Sequence, residues 1–408
     1  MQTNRLPLEG IRVVDFSWFA AGPACTEVLA NHGAEVIRIE CHTRVDGLRV
    51  LHPQPEGKYG LNTSGWYNNV NASKLSITLN MRYSKALDMA LRLIAVSDIV
   101  AENYTPGTLE KWGFTYEKLQ EVKPDIILLR EPMQGSDGPH ANFSGFGAVI
   151  SPLAGISHLT GPSDRPPVGM GTHYTDYVIN PGHAVIATLA ALRHRNRTGK
   201  GQVIEVAQLE SSVSVIGPAL MDYAVNGRVQ RRQGNRLAHA APHGAFRCRG
   251  DDRWCVIAVF SDDQWRALCR AMGDPQWCRE ERFATLQCRK ENEDELERLV
   301  EGWTSARTAE DVMETLQAAG VPAGVVQNAQ DVLENDPHLR ERGHYVYLDH
   351  PEAGRTAYDG PGFRLSKTPG RLRSPAPCIG QHTEYVCKEI LGIDDEEIAQ
   401  LVIEGVLM

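Results

Sequence analysis

Residues 8–40 contain the pattern that most constrains the fold of this chain. The run IRVVDF at 11–16 predicts a strand, residues 24–32 predict a helix that ends at Gly33, and EVIRIE at 35–40 predicts a second strand. A strand, a helix and a strand in this order form a right-handed unit with parallel strands. The pattern therefore predicts the opening of a doubly wound α/β fold.

The alternation of strand and helix patterns continues along the chain. Further strands are predicted at 76–80, 98–102, 125–129 and 202–206, with helical patterns between them. After the first strand, Gly22 and Pro23 stand where a nicotinamide or flavin site would need G-x-G-x-x-G. The sequence therefore predicts a parallel sheet that does not bind these dinucleotides.

A change in composition marks a second domain. With 408 residues the chain is long for one core, and 226–242 is rich in Arg, Gln, Gly, Asn and His with few apolar residues. Beyond this linker, a strand at 254–260 and helices at 265–272, 290–304 and 308–319 indicate a smaller α+β domain. We therefore predict two domains, with the smaller one at 226–333.

Composition excludes several classes of function. The formal net charge of −9 argues against a nucleic-acid partner, because such binding depends on a basic surface. No stretch approaches the roughly 20 apolar residues of a membrane span, and the first residues lack the apolar run of a signal peptide. We therefore expect a cytoplasmic protein without membrane contacts. The nine scattered cysteines contain no C-x-x-C pair, which predicts free thiols and no zinc site.

One carboxylate, Asp176, precedes an apolar helix predicted at about 182–194. From the local pattern alone it is a turn or cap residue, because an acid near a helix start accepts backbone N–H bonds and suits the helix dipole. The helix ends at Thr198-Gly-Lys-Gly201, which lacks the spacing of a phosphate-binding P-loop and instead predicts a turn into a strand.

Short motifs then follow one another in a distinctive order. They are PLEGIRVVD at 7–15, AGP at 21–23, GAEVIRIE at 33–40, ENYTPGTL at 102–109, YTDY at 174–177, LAAL at 189–192, RTGKGQ at 197–202 and GQHTE at 380–384. Each motif is weak alone. Their order over nearly the whole chain resembles the class III coenzyme A transferase family, the group of formyl-CoA and carnitine CoA-transferases.

The resemblance implies both a fold and a chemistry. It implies a large CoA-binding domain made from 1–225 and a C-terminal return at 334–408, with two subunits interlocked like linked rings. It also implies that Asp176 is catalytic and carries an acyl anhydride and then a CoA thioester. CoA is then a substrate, with no tightly bound cofactor and no metal. The implied partners are an acyl-CoA, a carboxylic acid and a second subunit, either identical or related in a heterodimer or heterotetramer.

Motif positions suggest the remaining site residues. The predicted CoA contacts follow the strand ends or add positive charge for the phosphates: Phe19, Ala20, Ala21, Arg44, Lys74, Leu79, Arg82, Asn103, Tyr104 and Lys111. The predicted substrate and loop residues are Phe146, Gly171, His243 and Gly244. Glycine amides are expected beside the nucleophile, and Gly169, Gly171, Gly234 and Gly244 are the candidates.

Two alternatives and two details stay open. An α-methylacyl-CoA racemase shares this fold but needs a histidine where the chain reads Gly145-Phe-Gly147, and a silent subunit of a hetero-oligomer would not need Asp176. The spacing from Asp176 to Leu189, around Pro181, is about one residue longer than the resemblance implies. The aromatic residues that could line a large pocket favour a bulky acceptor such as benzylsuccinate, with succinyl-CoA as donor: Trp18, Phe19, Trp66, Tyr67 and Phe146.

Overall fold

The computed structural model describes residues 5–170 and 174–408, which form two units. One unit comprises Met1–Ser157, Gly169–Val229 and His338–Met408. The other comprises His158–Val168 and Gln230–Pro337. We call them the sheet unit and the small unit, and each is described by itself.

A six-stranded sheet forms the centre of the sheet unit. Its strands are β1 (Arg12–Asp15), β2 (Glu35–Glu40), β3 (Leu75–Thr78), β4 (Ile99–Glu102), β5 (Ile127–Arg130) and β6 (Val203–Glu205). All pairs are parallel, and the strand order is 3-2-1-4-5-6. The order reverses between β1 and β4, and ligands of doubly wound folds bind at the carboxyl ends of the strands at such a point. The predicted α/β class is confirmed.

The helices of this part of the chain follow and connect the strands. They are α1 (Ala21–Asn31), α2 (Gly65–Asn69), α3 (Ser84–Ala95), α4 (Thr108–Lys111), α5 (Tyr116–Val122), α6 (Gly147–Leu153), α7 (Ile156–Leu159), α8 (Asn180–Thr198), α9 (Gln208–Val213) and α10 (Gly217–Asn226). Two 3-10 turns (Gly47–Val50, Ser214–Ile216) and a π-helical turn (Tyr174–Ile179) complete this part.

Alternate strand residues enter two separate cores. In β1, Val14 joins the core that contains α3, while Val13 joins the core that contains α1 and α8. In β5, Leu128 and Leu129 divide in the same way. Because successive side chains of a strand point to opposite faces, a sheet covered on both sides needs the near-continuous apolar runs that the sequence shows.

The small unit has its own antiparallel sheet and core. Its strands are β7 (His243–Arg247), β8 (Trp254–Ala258) and β9 (Ala323–Val325), and its helices are α11 (Asp262–Ala271), α12 (Leu286–Glu291), α13 (Glu293–Thr304) and α14 (Ala309–Ala318). Short turns lie at Gln276–Arg279, Glu281–Phe283 and Asp331–Asn335. Ser261 and Thr308 cap α11 and α14 because their hydroxyl oxygens accept the backbone N–H groups of Gln264 and Asp311.

The C-terminal segment completes the sheet unit. Its elements are α15 (Pro337–Glu341), the hairpin β10 (Tyr345–His350) and β11 (Gly354–Asp359), α16 (Thr383–Tyr385), a π-helical turn (Val386–Ile390) and α17 (Asp395–Ile403). Val386 and Leu401 join the core beside α3, and the backbone N–H of Asn80 donates to Val406 O. The end of the chain therefore packs against the region that follows β3.

Some helix ends differ from their predictions. α1 begins at Ala21 rather than at 24, and α8 runs four residues beyond 194. α3 begins at Ser84, and the cap position belongs to Tyr83, which forms no side-chain cap. Apolar periodicity locates a helix better than it locates the ends, where backbone caps replace side-chain caps. In the described part of the chain, no helix has the length and apolarity needed to cross a membrane.

Candidate active site

A cavity of about 620 Å³ lies at the carboxyl ends of β1 to β4, where the strand order reverses. Each of these strands contributes residues that follow its last position. The lining includes Phe16 and Trp18 after β1, Cys41, Thr43 and Arg44 after β2, Leu79, Asn80, Met81 and Arg82 after β3, and Tyr104, Thr105, Thr108, Lys111 and Trp112 after β4. The cavity is therefore built from four different strand ends.

Five of the ten predicted CoA contacts line this cavity. They are Arg44, Leu79, Arg82, Tyr104 and Lys111. The cationic groups of Arg44, Arg82 and Lys111 form no ion pair within the described residues, so they add local positive charge to a chain whose net charge is −9. The guanidinium of Arg44 lies 5.1 Å from the centre of the Trp18 ring, an arrangement that favours a cation–π contact.

Lys74 is enclosed in the interior. Its Nζ lies 3.4 Å from Asp15 Oδ2 and donates to Pro23 O at 2.8 Å and Asn71 Oδ1 at 2.9 Å. Burial lowers the pKa of Lys74 to about 8, although Asp15 opposes the change. The ammonium group has no donor left for a phosphate, so we leave Lys74 out of the proposed CoA site.

Four other predicted CoA contacts form the loop between β1 and α1 or hold it in place. Asn103 binds both backbone groups of Trp18: its Oδ1 accepts from Trp18 N at 2.8 Å and its Nδ2 donates to Trp18 O at 2.7 Å. Phe19 has a left-handed backbone with φ of 57°, and its N–H donates to both carboxylate oxygens of Asp46 at 3.2 Å. Ala20 and Ala21 are buried at the start of α1.

An ionic network lies beneath the loop and the cavity. Arg49 is fully buried and binds Glu40 through two hydrogen bonds, Nε to Oε1 at 2.7 Å and Nη2 to Oε2 at 2.6 Å. Burial acts to raise the pKa of Glu40, but Arg49 and then Arg38 outweigh it and lower that pKa to about 2. Tyr67 also binds Arg49 and is fully buried, so Tyr67 is a core residue and does not line a substrate pocket as predicted.

Asp176 lies in the π-helical turn that leads into α8, and its side chain is buried. Its Oδ2 accepts the backbone N–H of Gly147 at 3.0 Å, and its Oδ1 accepts from Thr175 Oγ1 at 3.3 Å. Hydrogen bonds to a carboxylate favour its charged form. The arrangement therefore suits an ionised carboxylate that is largely shielded from water.

A π-helical turn lies where the resemblance implies one additional residue, around Pro181. A π-helix closes its hydrogen bonds from i to i+5, so one turn holds one residue more than an α-helical turn. The turn at Tyr174–Ile179 carries Asp176 and lies immediately before α8. The additional residue stays a prediction, and a π-helical turn N-terminal to Pro181 is compatible with it.

The remaining predicted residues have different settings. Phe146 precedes Gly147, which donates to Asp176, and its side chain is 54% exposed. His243 and Gly244 open β7 in the small unit, where Gly244 lines a cavity of about 640 Å³ and His243 Nδ1 pairs with Asn235 O. Gly171 lies outside the described residues.

Sequence reasoning missed the amide that contacts Asp176. Gly169, Gly171, Gly234 and Gly244 were its candidates, but the donor is Gly147, 29 positions before Asp176. Gly147 follows Phe146 in the Gly145-Phe-Gly147 segment. Because Phe146 in this segment was already predicted to line the substrate site, the adjacent Gly147 is the sequence signal for the missed amide donor. Across 5–170 and 174–408, no group of three or more metal-binding side chains is arranged to hold a metal ion.

Comparison with known proteins decides the family. Residues 8–383 match the model of CoA-transferase family III. The chain belongs to CoA-transferase family III. This family III enzyme is 33% identical over 401 residues to succinyl-CoA–D-citramalate CoA-transferase of Chloroflexus aurantiacus, with 98% of each chain covered. It is 34% identical over 404 residues to the beta subunit of succinyl-CoA–L-malate CoA-transferase of the same organism, again with 98% of each chain covered.

A solved structure shares the fold of this family III chain. The crystal structure of a CaiB/BaiF family protein from Brucella suis superimposes with a TM-score of 0.86 at 30% identity. The match covers 95% of this chain and 100% of the other. The identification predicted from the motif order is confirmed, and the enzyme is a CoA-transferase.

Proposed function

We propose that this enzyme moves CoA from an acyl-CoA donor, such as succinyl-CoA, to a carboxylic acid through covalent intermediates on Asp176. The observation that carries the proposal is the buried Asp176 carboxylate, which accepts the amide N–H of Gly147. A carboxylate nucleophile needs an ionised form and exclusion of water from its anhydride. The burial of Asp176 is consistent with exclusion of water, and its hydrogen bond from Gly147 is consistent with an ionised carboxylate.

In the proposed reaction each step exchanges one acyl bond. Asp176 attacks the donor thioester, which releases CoA thiolate and forms a mixed anhydride. The thiolate attacks the aspartyl carbonyl, which releases the donor acid and leaves an aspartyl-CoA thioester. The acceptor carboxylate attacks this thioester, which releases CoA thiolate and forms a second mixed anhydride. The thiolate then attacks the acceptor carbonyl of this anhydride, which forms the acceptor's CoA thioester and regenerates Asp176. The Gly147 N–H is available to stabilise negative charge that develops on the aspartyl oxygen.

We assign CoA to the cavity at the ends of β1 to β4. Arg44, Arg82 and Lys111 would bind its phosphates, and the ring of Trp18 with Tyr104 offers a surface for the adenine. Replacing Arg82 with Ala should raise the KM for the acyl-CoA while kcat changes little, because a phosphate contact far from the reacting atoms strengthens ground state and transition state alike. A large loss of kcat with an unchanged KM would contradict this assignment.

The test of the covalent mechanism is mass spectrometry of the intact enzyme. After incubation with succinyl-CoA, the wild type should gain the mass of CoA, and peptide mapping after hydroxylamine treatment should locate the modification at Asp176. Asp176→Asn should gain no mass and lose transfer by at least about a thousandfold. Asp164→Asn serves as the matched control because Asp164 is an exposed acid of the small unit. Normal transfer by Asp176→Asn would refute the mechanism.

The acceptor acid is the second part of the proposal. Phe19 and Phe146 are about half exposed, at 46% and 54%. These aromatic surfaces favour a bulky acceptor such as benzylsuccinate, whereas the names of the two relatives indicate D-citramalate and L-malate. A comparison of kcat/KM for the three acids with succinyl-CoA distinguishes these possibilities. A racemase would instead exchange the α-hydrogen of an acyl-CoA in D₂O without any acceptor acid.

We also propose an interlocked dimer, with a large domain from 1–225 and 334–408 and a small domain at 226–333. An exposed apolar helix supports the assembly, since α10 has no buried residue and exposes Leu220, Met221, Tyr223 and Val225. The partner is a second copy or, as the subunit name of one relative suggests, a related chain. Light scattering and a transfer assay of the purified chain distinguish these cases. A dimer that is stable and active without any other chain shows that no related chain is needed.

A further inference from the structure

A second buried carboxyl group, that of Glu131, lies near Asp176. Glu131 follows the last residue of β5, and its side chain is fully buried. Neither of its carboxyl oxygens has a hydrogen-bond partner among the described residues. A buried charge without a partner is strongly unfavourable, whereas a buried carboxyl group that carries its proton is tolerated. The surroundings of Glu131 therefore favour the neutral acid.

Backbone contacts fix Glu131 relative to the turn that carries Asp176. The N–H of Glu131 donates to Glu102 O at 3.0 Å, and its C=O accepts Gln208 Nε2 at 2.6 Å. The Oε1 of Gln208 in turn accepts Asn180 Nδ2 at 3.2 Å. Asn180 is the first residue of α8 and lies one turn after Asp176. This chain of bonds connects the end of β5 with the start of α8.

Titratable groups on four neighbouring elements interact with Glu131. They are Asp15 at the end of β1, Cys25 on α1, Glu102 at the end of β4 and Asp176 in the π-helical turn. Burial, followed by the charges of the three acids, raises the pKa of Glu131 to about 8. The cations Arg38 and Lys74 lie beside Asp15, and Arg130 lies beside Glu102.

The two carboxyl groups differ in the hydrogen bonds that they accept. Asp176 accepts from Gly147 N and Thr175 Oγ1, whereas Glu131 accepts from no donor in the described ranges. When two carboxyl groups lie close together, the one with more hydrogen-bond donors retains its charge, and the proton stays on the other. The hydrogen bonds therefore favour a charged carboxylate at Asp176 and a protonated carboxyl group at Glu131.

We infer that Glu131 holds the proton of this pair and is a positioning residue that leaves Asp176 as the ionised nucleophile. The inference rests on the proposed role of Asp176 in CoA transfer. It also predicts a coupling between the two groups. When Asp176 becomes a neutral thioester, one negative neighbour of Glu131 disappears, so Glu131 ionises at a lower pH in the intermediate than in the free enzyme.

Infrared spectroscopy of the whole enzyme tests where the proton resides. The difference between wild type and Glu131→Gln at pH 7 should contain the carbonyl band of a protonated carboxylic acid, and this band should disappear as the pH rises through about 8. The difference spectrum is needed because burial also raises the pKa of Glu27 to about 8 and that of Glu102 to about 7. In Asp176→Asn the same band should disappear at a lower pH. Absence of the band in the wild type overturns the inference.

Kinetics provide a readout that a purely structural role would not change. Transfer by the wild type should fall about tenfold between pH 7 and pH 9 as Glu131 ionises. Glu131→Gln, a neutral mimic of the protonated acid, should keep activity within about threefold at pH 7 and lose this alkaline decline. Glu121→Gln, the same change at an exposed acid on α5, should retain the wild-type profile.

The possible outcomes separate this inference from the proposed mechanism. An alkaline decline that persists in Glu131→Gln refutes the role of Glu131, even when the aspartyl-CoA adduct forms. If Glu131→Gln does not fold, the difference between the titrations of wild type and Asp176→Asn decides, because Asp176 contributes to the pKa of Glu131 but not to those of Glu27 and Glu102. Identical titrations of the two proteins refute the coupling. Normal transfer by Asp176→Asn refutes the covalent mechanism instead, while the infrared band still reports on the proton of Glu131.

Discussion

Replacing Arg49 with Met should be among the most destabilising single changes in the sheet unit. Arg49 is buried and binds Glu40 twice, and it also donates to Leu61 O and to Asn62 Oδ1 at 2.9 Å, to Tyr67 OH at 2.6 Å and to Pro377 O at 3.3 Å. Removing one partner of a buried ion pair costs about 3–5 kcal/mol, because the other charge stays buried without compensation.

The pKa of Glu40 gives a second estimate of this cost. Its decrease from 4.5 to about 2 corresponds to about 3 kcal/mol, at about 1.36 kcal/mol per pKa unit. Because the folded-state pKa is lowered, this stabilisation is complete above the unfolded-state value and is lost as the pH falls towards 2. Between pH 6 and pH 3.5 the wild type should lose about 1 kcal/mol through this group, a loss that Arg49→Met should not show.

Urea unfolding at several pH values, with hydrogen exchange of the β2 amides as a local probe, measures both effects. Arg49→Met should be destabilised by about 3–5 kcal/mol at pH 7, and the added change Glu40→Gln should recover part of the loss because no uncompensated charge remains. Lys85→Met removes the exposed pair with Glu404 and should cost less than about 1 kcal/mol. A loss below about 1 kcal/mol for Arg49→Met, or an unchanged pH dependence, would refute this reasoning.

Two further substitutions test the turns around the sheet. Asn103→Ala leaves the N–H and C=O of Trp18 without partners and should cost about 1–3 kcal/mol and raise the KM for acyl-CoA, whereas an unaltered KM would show that the loop keeps its shape. Gly201→Ala places a Cβ 1.9 Å from Ile126 O and should destabilise the fold by several kcal/mol. Gly199→Ala has open space around the new Cβ but a φ of 71°, so it should cost only about 1–2 kcal/mol. Equal midpoints of the two variants in thermal unfolding would contradict the steric argument.

The sequence predicted the sheet better than the surroundings of the site. Strands buried on both faces need continuous apolar runs, so residues 35–40 and 127–129 could be assigned from local pattern alone. The glycines of Thr198-Gly-Lys-Gly201 were also assigned correctly to a turn, and the contact of Gly201 with Ile126 O explains why a side chain is excluded there. These features depend on neighbours in sequence or on the sheet itself.

The sequence could not show which basic residues near the site line the cavity and which are buried. Lys74, Arg44 and Arg82 all follow or flank strand ends, yet only Arg44 and Arg82 line the cavity. The burial of Lys74 depends on Asp15, 59 positions away, and on Asn71. A basic residue near a strand end is therefore ambiguous until the carboxylates of the neighbouring strands are known. The same holds for Glu131, because the lack of hydrogen-bond donors around its carboxyl group depends on residues that are distant in sequence.

The π-helical turn shows how one residue of spacing controls the direction of Asp176. In an α-helix each residue turns the chain by about 100°, so one residue more or fewer between Asp176 and α8 would rotate its carboxylate by about a quarter of a turn. The observed turn buries Thr175, Asp176 and Ile179 while Val178 is exposed. Burial of Asp176 beside Gly147 is thus compatible with an α8 that keeps its own apolar face inward. The π-helical turn therefore sets the direction of the Asp176 carboxylate immediately before α8.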